Sequence, residues 1–233
     1  MITTQILKEF QGTPLKLKEL SSYERWALTF FHNEEEILDP NVGLTLQLDI
    51  TDIEKQYREK YCNTDGASLT AYLYWGLIQA MKKHPCFFWR KIGKTWYHFK
   101  SPPLAFIIYV GGKERYNDIM IENVCSMDWG EFCRNYRGKI GRAQAKKKGF
   151  IPIPEDIWRL SIFIGNQPDL QFTSLNIHRQ KKKAGMPLMY FGKRYQVGGR
   201  LMVPFFINFD HSTLDPYVID LFLKDFHNLF ANV

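Results

Sequence analysis

The sequence predicts a single α/β domain of sandwich type. Three observations carry this reading. Gly43–Ile50 alternates apolar and polar residues at period two, Ser68–Lys83 carries its apolar residues on one helical face, and strand-like groups are interrupted by helices along the chain. At 233 residues, 45% of them hydrophobic, the chain is large enough to bury one substantial core. No repeat or low-complexity linker divides it, so residues 1–233 read as one domain.

The elements follow in order. Ser21-Ser22-Tyr23-Glu24 has the chemistry of a capping box, a hydroxyl accepting from an early amide while Glu reaches back, and opens a helix to about Phe31. The strand Gly43–Ile50 comes next. Thr51-Asp52-Ile53-Glu54 repeats the capping pattern and opens a second helix to about Tyr61. In Ser68–Lys83, Leu69, Tyr72, Leu73, Gly76, Leu77 and Ala80 share a face, and His84-Pro85 ends the helix. Phe87–Lys91 and Thr95–Phe99 flank Gly93 as a hairpin. Leu104–Val110 is an apolar strand closed by Gly111-Gly112, and Ile119–Cys125 is the next. Trp129–Lys148 is a basic helix weakened by Gly138 and Gly141. Strands at Leu160–Ile164, Leu170–Ile177, Leu188–Phe191 and Leu201–Phe209 precede a closing helix from Pro216 to about Leu229.

Composition excludes several classes. The N-terminus, MITTQILKEF, lacks a basic start and an apolar run, and no stretch approaches the roughly 20 apolar residues of a membrane span. The reading is cytoplasmic, with no membrane partner. Cys62, Cys86, Cys125 and Cys133 form no CxxC pair and have no metal-ligand spacing, so reduced and mostly buried thiols are expected, and no metal site. The net charge is +7, much of it in Lys146-Lys147-Lys148 and Lys181-Lys182-Lys183. Such runs are solvated loops or a field for an anionic partner, a phosphorylated cofactor or an acidic carrier protein. No nucleic-acid motif accompanies them. The 15% aromatic share fits a core of large rings or a pocket lined with them.

The segment that carries chemistry is Val203–Asp215. An apolar strand ends abruptly in Asp210-His211, and Asp215 follows four residues later. Imidazole is the side chain that exchanges protons near neutral pH, which makes His211 a candidate general base toward a hydroxyl, amine or thiol. His32, His84, His98, His178 and His227 lack this setting.

Asp210-His211-Ser212-Thr213-Leu214-Asp215-Pro216 resembles the His-His-x-x-x-Asp-Gly signature of the chloramphenicol acetyltransferases and, more distantly, of peptide-synthetase condensation domains. Met186–Tyr195 is similar to the A-P-V-F-T-M-G-K-Y-Y stretch of that family, and from there to His211 the two align without a gap. Phe172-Thr173-Ser174 sits at its S-F-T-S, Leu46–Thr51 matches its V-Q-L-D-I-T, His84-Pro85 its A-H-P, and Tyr23-Glu24-Arg25 its W-H-R. The likeness covers about residues 20 to 230, in order.

The resemblance implies a chloramphenicol acetyltransferase-like two-layer sandwich, with a large mixed sheet flanked by helices, assembled as a homotrimer with active sites between subunits. His211 would deprotonate the acceptor, which attacks the thioester of an acyl-CoA co-substrate in a ternary complex; no cofactor is bound permanently. Asp215 would pair with Arg25 to hold the loop presenting His211. Lys193 and Thr173 fall where the family binds its cofactor, and Tyr190 and Phe172 where it holds the acceptor. Gln171 stands in place of the Ser that donates to the oxyanion, and a Gln amide retains a donor on a longer arm. Asp210, Pro216, Gln171 and Tyr190 depart from the family pattern. The reading is therefore an acyltransferase with a small-molecule acceptor other than chloramphenicol. The alternatives are an acyltransferase fed by an acyl-carrier protein in specialised metabolism, and a catalytically inactive trimeric binding protein.

Overall fold

The computed structural model describes residues 4–145, 150–178 and 184–231. Both lysine runs, and the last residues of the helix expected to reach Lys148, lie outside these.

In chain order the elements are α1 (Thr4–Glu9), β1 (Gly12–Pro14), α2 (Ser22–Phe30), β2 (Asn41–Asp49), α3 (Thr51–Gln56), α4 (Leu69–Met81), β3 (Trp89–Ile92), β4 (Thr95–Phe99), β5 (Leu104–Gly111) and β6 (Arg115–Ile121). They continue with α5 (Trp129–Ala145), α6 (Glu155–Trp158), β7 (Ile162–Asn166), β8 (Leu188–Phe191), β9 (Tyr195–Val197), β10 (Arg200–Asp210) and α7 (Pro216–Ala231). The large sheet runs β2-β10-β8-β7-β5-β6, with β9 added beside β10. It is mixed: β7 pairs in parallel with β8 and β5, and the other pairings are antiparallel. A small antiparallel sheet, β1-β4-β3, stands apart.

Alternation along β10 decides the layering. Val203, Phe205, Ile207 and Phe209 point into the main core, where they meet residues of α3, α4, α5 and α7. Pro204, Phe206, Asn208 and Asp210 point to the other face. There only a smaller cluster forms, around Ala105, Phe163 and Met186, joined by Trp158, Leu188 and Tyr190. The same face leaves Ile107, Tyr109 and Tyr116 exposed. The result is two layers, helices on one side of the sheet and a partly uncovered sheet on the other. No helix among the described residues is long and apolar enough to cross a membrane.

Local chemistry explains the helix starts. Ser21 accepts from the Glu24 amide at 3.1 Å and its own amide donates to Glu24 at 2.7 Å, completing the expected capping box. Ser68 caps α4 by accepting from the Ala71 amide. The second expected box does not form. Thr51 is already helical, and its amide and hydroxyl both donate to Asp49, which supplies the turn's acceptor one step earlier. Helix α3 then passes into a single π turn at Tyr57–Tyr61.

One expected strand is absent. Leu170–Ile177 is irregular and runs beside the edge strand β2, touching it through side chains: Gln47 Nε2 donates to the Phe172 carbonyl at 3.2 Å, and the Leu175 amide donates to Thr45 Oγ1 at 3.3 Å. Its apolar residues are used as anchors instead of a ladder. The Phe172 ring closes on Gly192, where an added Cβ would lie 2.8 Å from it. Strands at Ile119–Cys125 and Leu160–Ile164 are present but shifted, as β6 and β7, while α1, β1, α6 and β9 have no counterpart among the elements the sequence predicts.

Gly185 sits where the chain enters β8. Its φ is +83°, and an added Cβ would lie 2.2 Å from the Trp89 carbonyl oxygen. Both the backbone conformation and the contact exclude a side chain. Gly185→Ala is expected to lower stability by at least about 1–3 kcal/mol from strain alone, read as a lower urea midpoint with an unchanged slope.

Candidate active site

β10 carries Asp210 into the interior and His211 to its rim. Asp210 is 1% exposed. Its Oδ2 lies 3.0 Å from His32 Nε2 and accepts from the Gly185 amide at 3.0 Å; its Oδ1 accepts from the Ser212 amide at 3.0 Å and hydroxyl at 2.5 Å. The Asp210 carbonyl accepts from the Thr213 and Leu214 amides and the Thr213 hydroxyl. Burial pushes this carboxyl up, but the hydrogen bonds and charge of His32 and the two from Ser212 outweigh it and hold it below the usual carboxylate range.

Arg90, equally buried, balances that charge. Its Nη1 donates to the carbonyls of Phe87, Trp89 and Gly185, and its Nη2 to that of Ser161. Burial pulls the guanidinium down to about 9 against the opposing pull of Asp210. Among the described residues the two groups form no direct ion pair. Gly185 lies between them, its N–H on Asp210 and its C=O on Arg90.

His211 is held from three sides. Its amide donates to the Pro40 carbonyl at 2.8 Å, and its ring stacks on Phe31 with centroids 4.3 Å apart and planes 14° off parallel. Nδ1 lies 3.2 Å from the Leu214 carbonyl oxygen. A carbonyl can only accept, so Nδ1 carries the hydrogen and Nε2 keeps its lone pair. Nε2 has no hydrogen-bond partner among the described residues. The arrangement is an oriented proton acceptor at the edge of an aromatic wall that continues through Phe30 and Trp26.

The expected Arg25–Asp215 pair is replaced by other contacts. Asp215 precedes α7 and accepts from the Val218 amide at 2.9 Å, with Pro216 as the first helical residue. Its second contact is the Tyr23 hydroxyl, which burial first, and then the charge and hydrogen bond of Asp215, hold above the usual phenol range. Arg25 is exposed on α2 and donates to the Leu20 carbonyl. Asp215 still shapes the His211 loop, as a helix cap rather than as half of an ion pair.

Tyr190 lies on the uncovered sheet face, packed on Phe163 and Phe206. It lines a cavity of about 190 Å³ with Asn41, Ile107, Trp158, Phe163, Ile177, His178, Met186, Leu188 and Asn208. No Asp, Glu, Lys or Arg is among these. Phe172, expected in the same pocket, does not line it and lies against Gly192. Gln171, Thr173 and Lys193 are exposed, Lys193 donating its amide to the Leu170 carbonyl.

Phe172 neighbours Gln47, which pairs in register with Pro204. From Pro204 to His211 the strand covers roughly 20 Å, so within one chain Gln171 and His211 lie far apart. Arg90, His32 and Gly185 escaped the sequence reading. The available signals were an Arg inside the apolar run Phe87-Phe88-Trp89-Arg90 and a His directly after Phe30-Phe31.

A sequence model described as chloramphenicol acetyltransferase matches residues 16–227. A chloramphenicol acetyltransferase of Staphylococcus aureus is 23% identical over 211 residues, covering 88% of this chain and 95% of the relative. A solved structure titled chloramphenicol acetyltransferase superposes with a TM-score of 0.76 at 16% identity, over 94% of this chain and 99% of that one. A truncated catalytic core of a 2-oxoacid dehydrogenase complex from Thermoplasma acidophilum superposes with a TM-score of 0.65 at 13% identity, over 92% and 97%.

Because its folded pKa is depressed, Asp210 contributes stability that is complete above the unfolded carboxylate value of about 4 and is lost as pH falls through the lower folded value. Asp210→Asn is therefore expected to destabilise by about 3–5 kcal/mol at neutral pH, leaving Arg90 uncompensated, and by progressively less below pH ~4. Denaturation midpoints of both proteins across that range check the sign.

Proposed function

Since the chain belongs to the chloramphenicol acetyltransferase family, we propose that it transfers an acetyl group from acetyl-CoA to a small, neutral, largely apolar acceptor, with His211 as general base. The observation that carries this reading is the His211 ring, fixed by Phe31 and the Leu214 carbonyl with Nε2 unengaged. The acceptor's hydroxyl, amine or thiol gives its proton to Nε2 as it attacks the thioester carbonyl. The tetrahedral oxyanion then collapses, the C–S bond breaks, and the proton passes from Nε2 to the departing thiolate. Neither a covalent acyl-enzyme nor a metal enters the scheme.

The cavity beside Tyr190 supports the acceptor class. Among the described residues the lining holds no carboxylate, lysine or arginine, which favours a neutral ligand over one whose charge would be desolvated there. Asn41, Asn208, His178 and Tyr190 supply the polar contacts that orient it. Tyr190 and the other departures from the family pattern favour an acceptor other than chloramphenicol. Exposed Lys193 and Thr173 are the proposed contacts of the CoA arm.

We assign Gln171 as the oxyanion donor of a neighbouring subunit in a homotrimer. The reason is the length of β10, roughly 20 Å from Pro204, the position in register with the Phe172 partner Gln47, to His211. The uncovered sheet face, with Ile107, Tyr109 and Tyr116 exposed, supplies a surface for such an assembly.

His211→Ala is expected to lower kcat about 10²–10⁴-fold with unchanged melting and CoA binding; retained turnover would remove the mechanism. Gln171→Ala should cost roughly 2.7–4 kcal/mol of transition-state stabilisation. Co-refolding the two inactive variants should restore activity, because a mixed trimer contains sites in which both residues are intact. No recovery would place both residues in one chain's site or leave Gln171 without a role. Acetyl-CoA at about a hundred times its Kd should add ~2.7 kcal/mol to native stability; no shift with any CoA ester would turn the donor assignment toward an acyl-carrier protein.

A further inference from the structure

A second concave surface lies away from His211 and from the Tyr190 cavity, sharing no residue with either. Two hollows, of about 500 and 400 Å³, meet at Gln11 and Lys100 to form one open groove between α1, the β1–β4 ladder and the end of α4. Lys8 lines one arm, Lys82 and His98 the other, and Lys100 both; among the described residues no Asp or Glu lines either. Among the described residues none of the three ammonium groups has a carboxylate partner, and Lys82 donates only to the neutral Gln79 amide. His98 is pulled below the usual imidazole range, by burial first and then by the charge of Lys100.

The backbone around the groove is strained. Three non-glycine residues among those described have positive φ, and two of them, Gln11 at +51° and Asn123 at +58°, line this one surface. Strain of this kind costs of order 1–3 kcal/mol per residue and collects where a side chain must be presented to a ligand. Asn123 Oδ1 accepts from the Ser101 hydroxyl at 3.0 Å, which fixes the amide and leaves its NH₂ as a donor with no partner among the described residues.

We propose that this groove binds a ligand carrying more than one phosphate. Lys100 lies at the junction, Lys8 and Lys82 engage the separate anionic groups, and the Asn123 amide and His98 donate hydrogen bonds. A single carboxylate carries one charge against three ammonium groups without carboxylate partners, whereas a diphosphate or bisphosphate carries enough charge to match more than one of them. The chemistry is shared by a free polyphosphate anion and by the phosphates of a nucleotide.

Titration calorimetry on the intact chain, with pyrophosphate as probe, tests this. Saturable binding is expected, weakened by added salt. Lys100→Gln should raise Kd roughly tenfold and Lys82→Gln/Lys100→Gln further, while exposed Lys113→Gln and His211→Ala leave it unchanged. Absence of saturable binding, or equal binding by the double variant when its melting curve matches the wild type, overturns the proposal. Adenosine 3′,5′-bisphosphate separates the sources. If its binding is tighter than that of pyrophosphate and lost in the same variants, the ligand is a nucleotide; if it is weaker, the ligand is the free anion.

Discussion

The structure depends on one glycine held between two buried charges. Gly185 donates to Asp210 and accepts from Arg90, so a single residue joins the end of β10, the start of β8 and the β3 strand of the small sheet. Both charges are desolvated, and each is tolerable only because backbone and side-chain groups surround it. Arg90 meets four carbonyl oxygens, and Asp210 meets His32, Ser212 and the glycine amide. Only a residue able to take φ near +83° in contact with the Trp89 carbonyl can occupy the place between them.

This arrangement positions the proposed base without touching its ring. Asp210 fixes the turn through Ser212, Thr213 and Leu214, and Leu214 in turn presents the carbonyl that sets the His211 tautomer. Phe31, the residue that ends α2, closes one face of the ring, and the residue after it, His32, binds Asp210. The same carboxylate therefore anchors the loop behind the base and the helix end beside it. Where the family signature has a first His, this chain has an acid whose partner His comes from elsewhere in the sequence.

The uncovered sheet face accounts for the rest of the site's character. A two-layer domain buries one face of its sheet completely and leaves the other to be finished by something else. Here that face holds the Tyr190 cavity and the exposed Ile107, Tyr109 and Tyr116, and Gln171 lies in an irregular segment along the sheet edge. The proposed site, with His211 at a strand end and Gln171 in a distant edge segment, requires neighbouring copies to bring the two together.

Much of this was legible in the residues alone. Periodicity gave the helices α2, α4, α5 and α7 and the strands β2, β5, β8 and β10, because burial of one face imposes a repeat of 3.6 or 2 on the residues themselves. The Asp-His ending of an apolar strand identified His211 as the candidate base, and the ordered set of motifs identified the family. Leu170–Ile177 misled, because alternation reports which side chains want burial and not whether a neighbouring strand offers a ladder. The family resemblance implies an ion pair of Asp215 with Arg25, but a sequence does not reveal that the donors Asp215 meets are a helix amide and Tyr23. What the sequence determined by itself is the layered α/β plan and the place of the candidate base at the end of an apolar strand, both written in local order. What only the tertiary structure decided is which distant groups close around them, Arg90, Gly185 and His32 about Asp210, because the desolvation of a buried charge is settled by contacts between residues far apart in the chain.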